Sequence, residues 1–131
     1  KITHYRAKDI KGLSGNFWCA TDDGKGHLYV GLHKGGLAVI DIQKRTAKVY
    51  KHNPEDPHSL PNNTVRCIFI SQTNAIWIGT DKGLALFNPH KEQFISFQNQ
   101  QENPNSLLSN QINDIGESKD GKLWVCAHME E

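Results

Sequence analysis

Apolar and polar residues alternate over short stretches of this chain, and each stretch stops at a cluster of Gly, Pro, Asn, Asp or Ser. In the middle of the sequence Thr64–Ile70 reads as a strand with Val65, Cys67 and Phe69 on one face, followed by the polar turn Ser71-Gln-Thr-Asn74. Ala75–Gly79 is a β-branched and aromatic run suited to a second strand. Thr80-Asp-Lys-Gly83 supplies a glycine turn, Leu84–Asn88 a third strand, Pro89-His-Lys-Glu92 a turn led by proline, and Gln93–Gln98 a fourth strand. No window carries a 3.6-residue apolar period long enough for a helix of three turns, so the pattern predicts an all-β chain.

The same four-strand pattern recurs. Leu13, Leu60 and Leu107 are spaced by 47 residues, as are Asn16, Asn63 and Asn110, and Trp18, Val65 and Ile112 fall into the same register. Gly36/Gly83, Leu37/Leu84 and Tyr50/Phe97 keep that offset, while the runs beginning at His27, Ala75 and Lys122 are spaced by 48 and 47. The turn Gly31-Leu-His-Lys-Gly-Gly36 is one residue longer than Gly79-Thr-Asp-Lys-Gly83 and absorbs the slip. Four antiparallel strands repeated every 40–50 residues are the signature of β-propeller blades. On that pattern residues 1–6 are the last strand of a preceding blade, 17–51 and 64–98 are full blades, and 111–126 are the first two strands of a further one. The expected architecture is therefore a single partial propeller of eleven strands, about two and three-quarter blades. Propellers close with typically 4–8 blades, so the chain is expected to be part of a longer protein whose exposed end sheets would self-associate.

The segments Asn103-Pro-Asn-Ser-Leu-Leu-Ser-Asn-Gln-Ile112, Glu117-Ser-Lys-Asp-Gly-Lys-Leu-Trp-Val125 and Ile76-Trp-Ile-Gly-Thr-Asp-Lys-Gly-Leu84 resemble two-component regulator propeller repeats. The resemblance runs over essentially the whole chain. The first unit departs from it with Gly12-Leu-Ser-Gly-Asn16 and Tyr29, the third with Cys126-Ala127 and Met129-Glu-Glu131. Such repeats build the periplasmic sensor region of hybrid two-component histidine kinases from polysaccharide-degrading gut bacteria, where propellers precede a β-sandwich, one membrane helix and a kinase. The resemblance implies a periplasmic, ligand-sensing segment of a homodimeric parent that detects oligosaccharides and controls transcription, reaching the membrane only through the rest of the parent chain. A protein-interaction propeller without glycan binding, or a polysaccharide-active propeller enzyme, are the alternatives.

Composition narrows the chemistry. Fifteen Lys and Arg against fourteen Asp and Glu leave a charge of +1, so no net field exists to hold nucleic acid. Cys19, Cys67 and Cys126 cannot all pair and none lies in a zinc-ligand spacing, so a metal site is not expected. No Walker spacing and no Gly-x-Ser-x-Gly occur, and Asp22, Asp81 and Asp114 are dispersed among strands, so neither a cofactor nor a catalytic residue is assigned.

Residues that recur in every unit are read as architecture, because a binding site is used once and sits in the differences. Trp77 and Trp124 are then packing residues between sheets, Asn63 and Asn110 bind loop backbone, and Asp23-Gly24 and Asp120-Gly121 are turns. In a meander whose first strand lines the channel, the turns between second and third strands and the loops joining blades share one face. That face would carry His33, Lys34, Asp81, Lys82 and His128, the candidate ligand-binding residues. The joining loops add His52, Glu55, Asp56, His58, Asn62, Gln100, Gln101 and Glu102. Imidazoles, amides and ammonium groups on rigid strand ends suit hydroxyl-rich or anionic ligands.

Overall fold

A computed structural model describes residues 10–129. Ten strands run in chain order: β1 (Phe17–Asp22), β2 (His27–Leu32), β3 (Gly36–Asp41), β4 (Thr46–Tyr50), β5 (Val65–Ile70), β6 (Ile76–Thr80), β7 (Gly83–Asn88), β8 (Gln93–Phe97), β9 (Ile112–Glu117) and β10 (Leu123–Ala127). They form two four-stranded antiparallel meanders, β1 to β4 and β5 to β8, and an antiparallel pair, β9 with β10. This is an open arc of propeller blades with β1, β5 and β9 side by side along its inner edge. The strand expected over residues 1–6 lies outside the described residues.

The register of the first strand differs from the sequence expectation. In each blade a β-bulge falls at the second residue of that strand, where the pairing skips Trp18, Arg66 and Asn113. Phe17, Val65 and Ile112 therefore occupy one position, and Trp18 is the counterpart of Arg66 rather than of Val65. The bulge also reverses the alternation of sides. Val65 packs towards the first blade while Cys67 and Phe69 pack towards the third, so the three do not share a face.

That reversal builds the seam between blades. Cys67 pairs with Gly79 across β5 and β6, and a Cβ on Gly79 would run into the Cys67 sulfur and come within 2.7 Å of Ile112 Cγ2. Gly31 repeats the arrangement, enclosed by the Cys19 sulfur and by Val65, whose Cγ1 would stand 2.7 Å from an added Cβ. The missing side chain is thus the socket into which the next blade inserts its first apolar residue. Above each socket the recurring leucine closes the seam: Leu60 joins the core between the first two blades and Leu107 the core between the second and third. Between blades one and two the core is aromatic, with Phe87 stacked on Phe94 at 4.6 Å and edge-on to Tyr29 and Tyr50 at 6.3 and 5.0 Å. Trp77 is half-buried in the second seam and tilted against Phe97 at 5.9 Å, in keeping with a packing role. Trp124 occupies the same position in the third blade and is 65% exposed, with no sheet beyond it among the described residues.

Each blade's outermost strand would offer unpaired backbone groups along its edge. The chain covers them with its own preceding loop: Ala47 N–H donates to the Lys11 carbonyl at 2.9 Å and, 47 residues on, Phe94 N–H donates to the His58 carbonyl at 2.8 Å. His58 therefore lies against the outer strand of the second blade, rather than on the face shared with the turns between second and third strands, where the sequence pattern places it.

The seam yields a direct test. Gly79→Ala should cost about 1–3 kcal/mol by overpacking, whereas Gly116→Ala, whose added Cβ meets nothing within 4 Å, should change stability by no more than about 0.5 kcal/mol. Urea unfolding of both variants measures the difference, and equal costs would show that the seam is not limited by space.

Candidate functional site

Two loops of identical design carry the chain from one blade to the next. In the first, Ser59 Oγ accepts from Asn53 N–H and donates to Asn53 carbonyl, both at 2.9 Å, while Asn63 Oδ1 accepts from His52 N–H at 2.7 Å. In the second, Ser106 bridges the backbone of Gln100 at 2.8 and 3.1 Å, and Asn110 Oδ1 accepts from Asn99 N–H at 2.6 Å. The Ser-Leu and Asn positions of the repeat are thus loop architecture, with Asn63 and Asn110 bound to backbone as expected. Asn16 does something else, because the first blade is shifted by one residue. Its carbonyl accepts from His33 N–H at 2.9 Å, the role taken in later blades by Thr64, with Asp81, and by Gln111, with His128.

These three backbone bonds place His33, Asp81 and His128 at equivalent points, on the turns following β2, β6 and β10, all at one end of the arc. Lys34 and Lys82 stand beside them, exposed, with their backbone N–H groups held by Thr64 Oγ1 at 3.2 Å and Thr80 Oγ1 at 3.1 Å. The five predicted residues therefore share one face. Asp81 and His128 also line a single cleft of about 460 Å³ between the second and third blades, together with Asn110, Gln111, Leu108 and Met129.

The structure adds residues that the sequence pattern missed. The bulges turn Trp18, Arg66 and Asn113 out of the ladders, and in the first two blades this residue meets the turn residue of its own blade. Trp18 and His33 stack with ring centroids 4.5 Å apart and planes 20° from parallel. Arg66 forms an ion pair through Nε with Asp81. The Arg66 guanidinium also lies 5.3 Å from the Trp18 ring centroid, a cation–π contact that joins the two pairs across the blades. In the third blade Asn113 and His128 are both exposed. Trp18 itself is 47% exposed, and the buried Nδ1 of His33 has no hydrogen-bond partner among the described residues.

Chemically this surface combines aromatic, guanidinium, imidazole, carboxylate and amide groups. Burial pushes the thiols of Cys19 and Cys67 up, the latter to about 12, so both are protonated and poorly nucleophilic near neutral pH. Among the described residues no group of three His, Cys, Asp or Glu is placed to hold a metal ion.

Fold and surface together define a propeller arc whose repeating residues build blades and whose bulge and turn residues, different in each blade, stand at one end. Residues 59–82 match the two component regulator propeller family model. Among solved structures, the chain is similar to the extracellular domain of the hybrid two component system BT3049 from B. thetaiotaomicron, with 34% identity and a TM-score of 0.72 over 95% of this chain and 14% of that one. Two structures of the extracellular domain of BT4673 from the same organism share the fold. One is 24% identical with a TM-score of 0.73, over 92% of this chain and 16% of that one. The other is 22% identical with a TM-score of 0.71, over 88% and 15%. No curated protein matches the chain. The repeat that contains residues 59–82 is thus of the two component regulator propeller type, and the chain spans about one seventh of the solved domains' length.

Scaffold and surface should separate in mutants. Leu60 is fully buried, so Leu60→Ala should cost about 2–5 kcal/mol. Arg66→Met, on a partly exposed ion pair, should cost less than about 1 kcal/mol. Chemical denaturation of the two variants checks the order, and its reversal would make the Arg66 cluster a fold determinant.

Proposed function

We propose that this chain is a segment of the periplasmic ligand-sensing propeller of a hybrid two-component sensor histidine kinase, and that it binds an oligosaccharide at the end of the arc carrying Trp18, His33, Arg66 and Asp81. One observation carries the reading: bulge and turn positions are structurally equivalent in every blade, yet hold Trp and His, then Arg and Asp, then Asn and His. Packing requires no such variation in the first two blades, where the seam positions beside them repeat as Cys19 with Gly31 and Cys67 with Gly79.

The half-exposed indole offers an apolar face to a sugar ring. Asn113 and His128 supply directional hydrogen bonds to hydroxyl groups. The segment acts by binding and orientation, without bond cleavage, and rigid blades pass a shift at the bound ligand through the parent homodimer to the membrane and its kinase. The similarity to the extracellular domain of a hybrid two component system at 34% identity supports this setting.

Isothermal titration of the chain with a panel of neutral and uronic-acid oligosaccharides tests the proposal. The expected result is saturable heat with at least one member, weakened by about tenfold or more, 1.4 kcal/mol, in Trp18→Leu and Arg66→Met. Absence of heat across the panel, or binding that survives both substitutions unchanged, would overturn it.

A further inference from the structure

At the opposite end of the first two blades a cavity of about 670 Å³ opens between the sheets. Its rim comes from four hairpin turns, represented by Asp23, Asp41, Asn74 and His90, and its floor from Tyr29, Ile76 and Phe87. Val39, Tyr50 and Ile70 form the walls. We propose that this interblade cleft is a second ligand site, which takes an uncharged ring with apolar faces and hydroxyl groups around its edge.

Three observations support that assignment, and none depends on the sensor reading above. The cleft's volume lies within the range of organic-ligand sites. The charged groups lining it are mixed, Asp23 and Asp41 with Lys25 and Lys48, and Lys48 also pairs with Glu92, leaving little net charge to select an ion. The third observation is a difference between repeats. Tyr29 and Tyr50 stand where the next blade has Trp77 and Phe97. Packing is met in the second seam without either hydroxyl, so the two phenols add polarity that packing does not require.

Their surroundings fit hydrogen bonding. Tyr50 Oη donates to Glu92 at 3.0 Å, while Tyr29 Oη has no hydrogen-bond partner among the described residues. Burial, and then the nearby Asp23 carboxylate, push the Tyr29 phenol up, so it remains a neutral hydroxyl at physiological pH. A ring lying against Val39, Tyr50 and Ile70 would meet this hydroxyl at its edge, and the Asn74 amide and His90 imidazole stand at the rim for further hydrogen bonds.

Aromatic-ring NMR of the full chain tests the proposal with two probes, the neutral disaccharide cellobiose and the apolar ring indole. Cellobiose should shift the Tyr29 and Tyr50 signals saturably, with a Kd on the order of 1 mM. The combined Tyr29→Phe and Tyr50→Phe variant, which keeps both rings and their packing, should weaken that response by about tenfold, while Arg66→Met should leave it intact. Shifts with indole alone would make the cleft an apolar pocket and overturn the assignment, as would no shift with either probe. Cellobiose binding lost in Arg66→Met and kept in the double Phe variant would also overturn it, while leaving the site at the other end of the arc standing.

Discussion

Two β-sheets of a propeller pack only as closely as the bulk between them allows, and in this chain the limit is set at Gly31 and Gly79. Each glycine faces a cysteine on the neighbouring strand of its own blade, and the first apolar residue of the next blade drops into the gap. The small sulfur-bearing side chain and the absent one are complementary halves of a single socket. The bulge belongs to the same device. Without it, the strict alternation of a strand would send Val65 and Cys67 to one side, and no blade could fill its predecessor's socket while preparing its own. The extra residue expelled from each ladder is the one free to vary, so a packing requirement also creates the surface where chemistry accumulates.

Loops complete the blades from outside. The peptide leading into each blade runs along that blade's outer strand and accepts one of its edge N–H groups, at Lys11 for β4 and His58 for β8. A potential site of strand addition is thereby covered by the chain itself. The serine and asparagine that hold these two loops together bond backbone rather than ligand, in keeping with their recurrence in both.

Much of this was legible before any coordinates. The 47-residue period, the four strands per unit and the turn residues follow from alternation and punctuation alone, and the strand bounds agree with the pattern to within a residue or so. The face bearing His33, Asp81 and His128 followed from topology. The bulge was not legible, because a residue skipped by the ladder leaves no mark on apolar alternation: Trp18 looked aligned with Val65 and Ile112, apolar like itself, and Phe17 was passed over. Arg66 and Asn113 were lost with it, polar residues inside strands that resembled ordinary solvent-facing positions. A sign was present in the spacing, since β2 and β6 are offset by 48 residues and β1, which pairs with β2, had to share that offset. The cleft at the other end stayed hidden for a different reason: its aromatic floor draws on two blades whose approach is fixed only by the seam.

The central claim is that bulge positions are equivalent places on a repeating scaffold, open to exchange where seam positions are not. Swapping residues between two such positions, in the paired substitution Trp18→Arg with Arg66→Trp, tests it through the free energy of unfolding in urea. The account predicts a change within about 0.5 kcal/mol, the range of surface substitutions. A loss of about 3 kcal/mol or more, the size of a core defect, would contradict it and place both side chains in the packing.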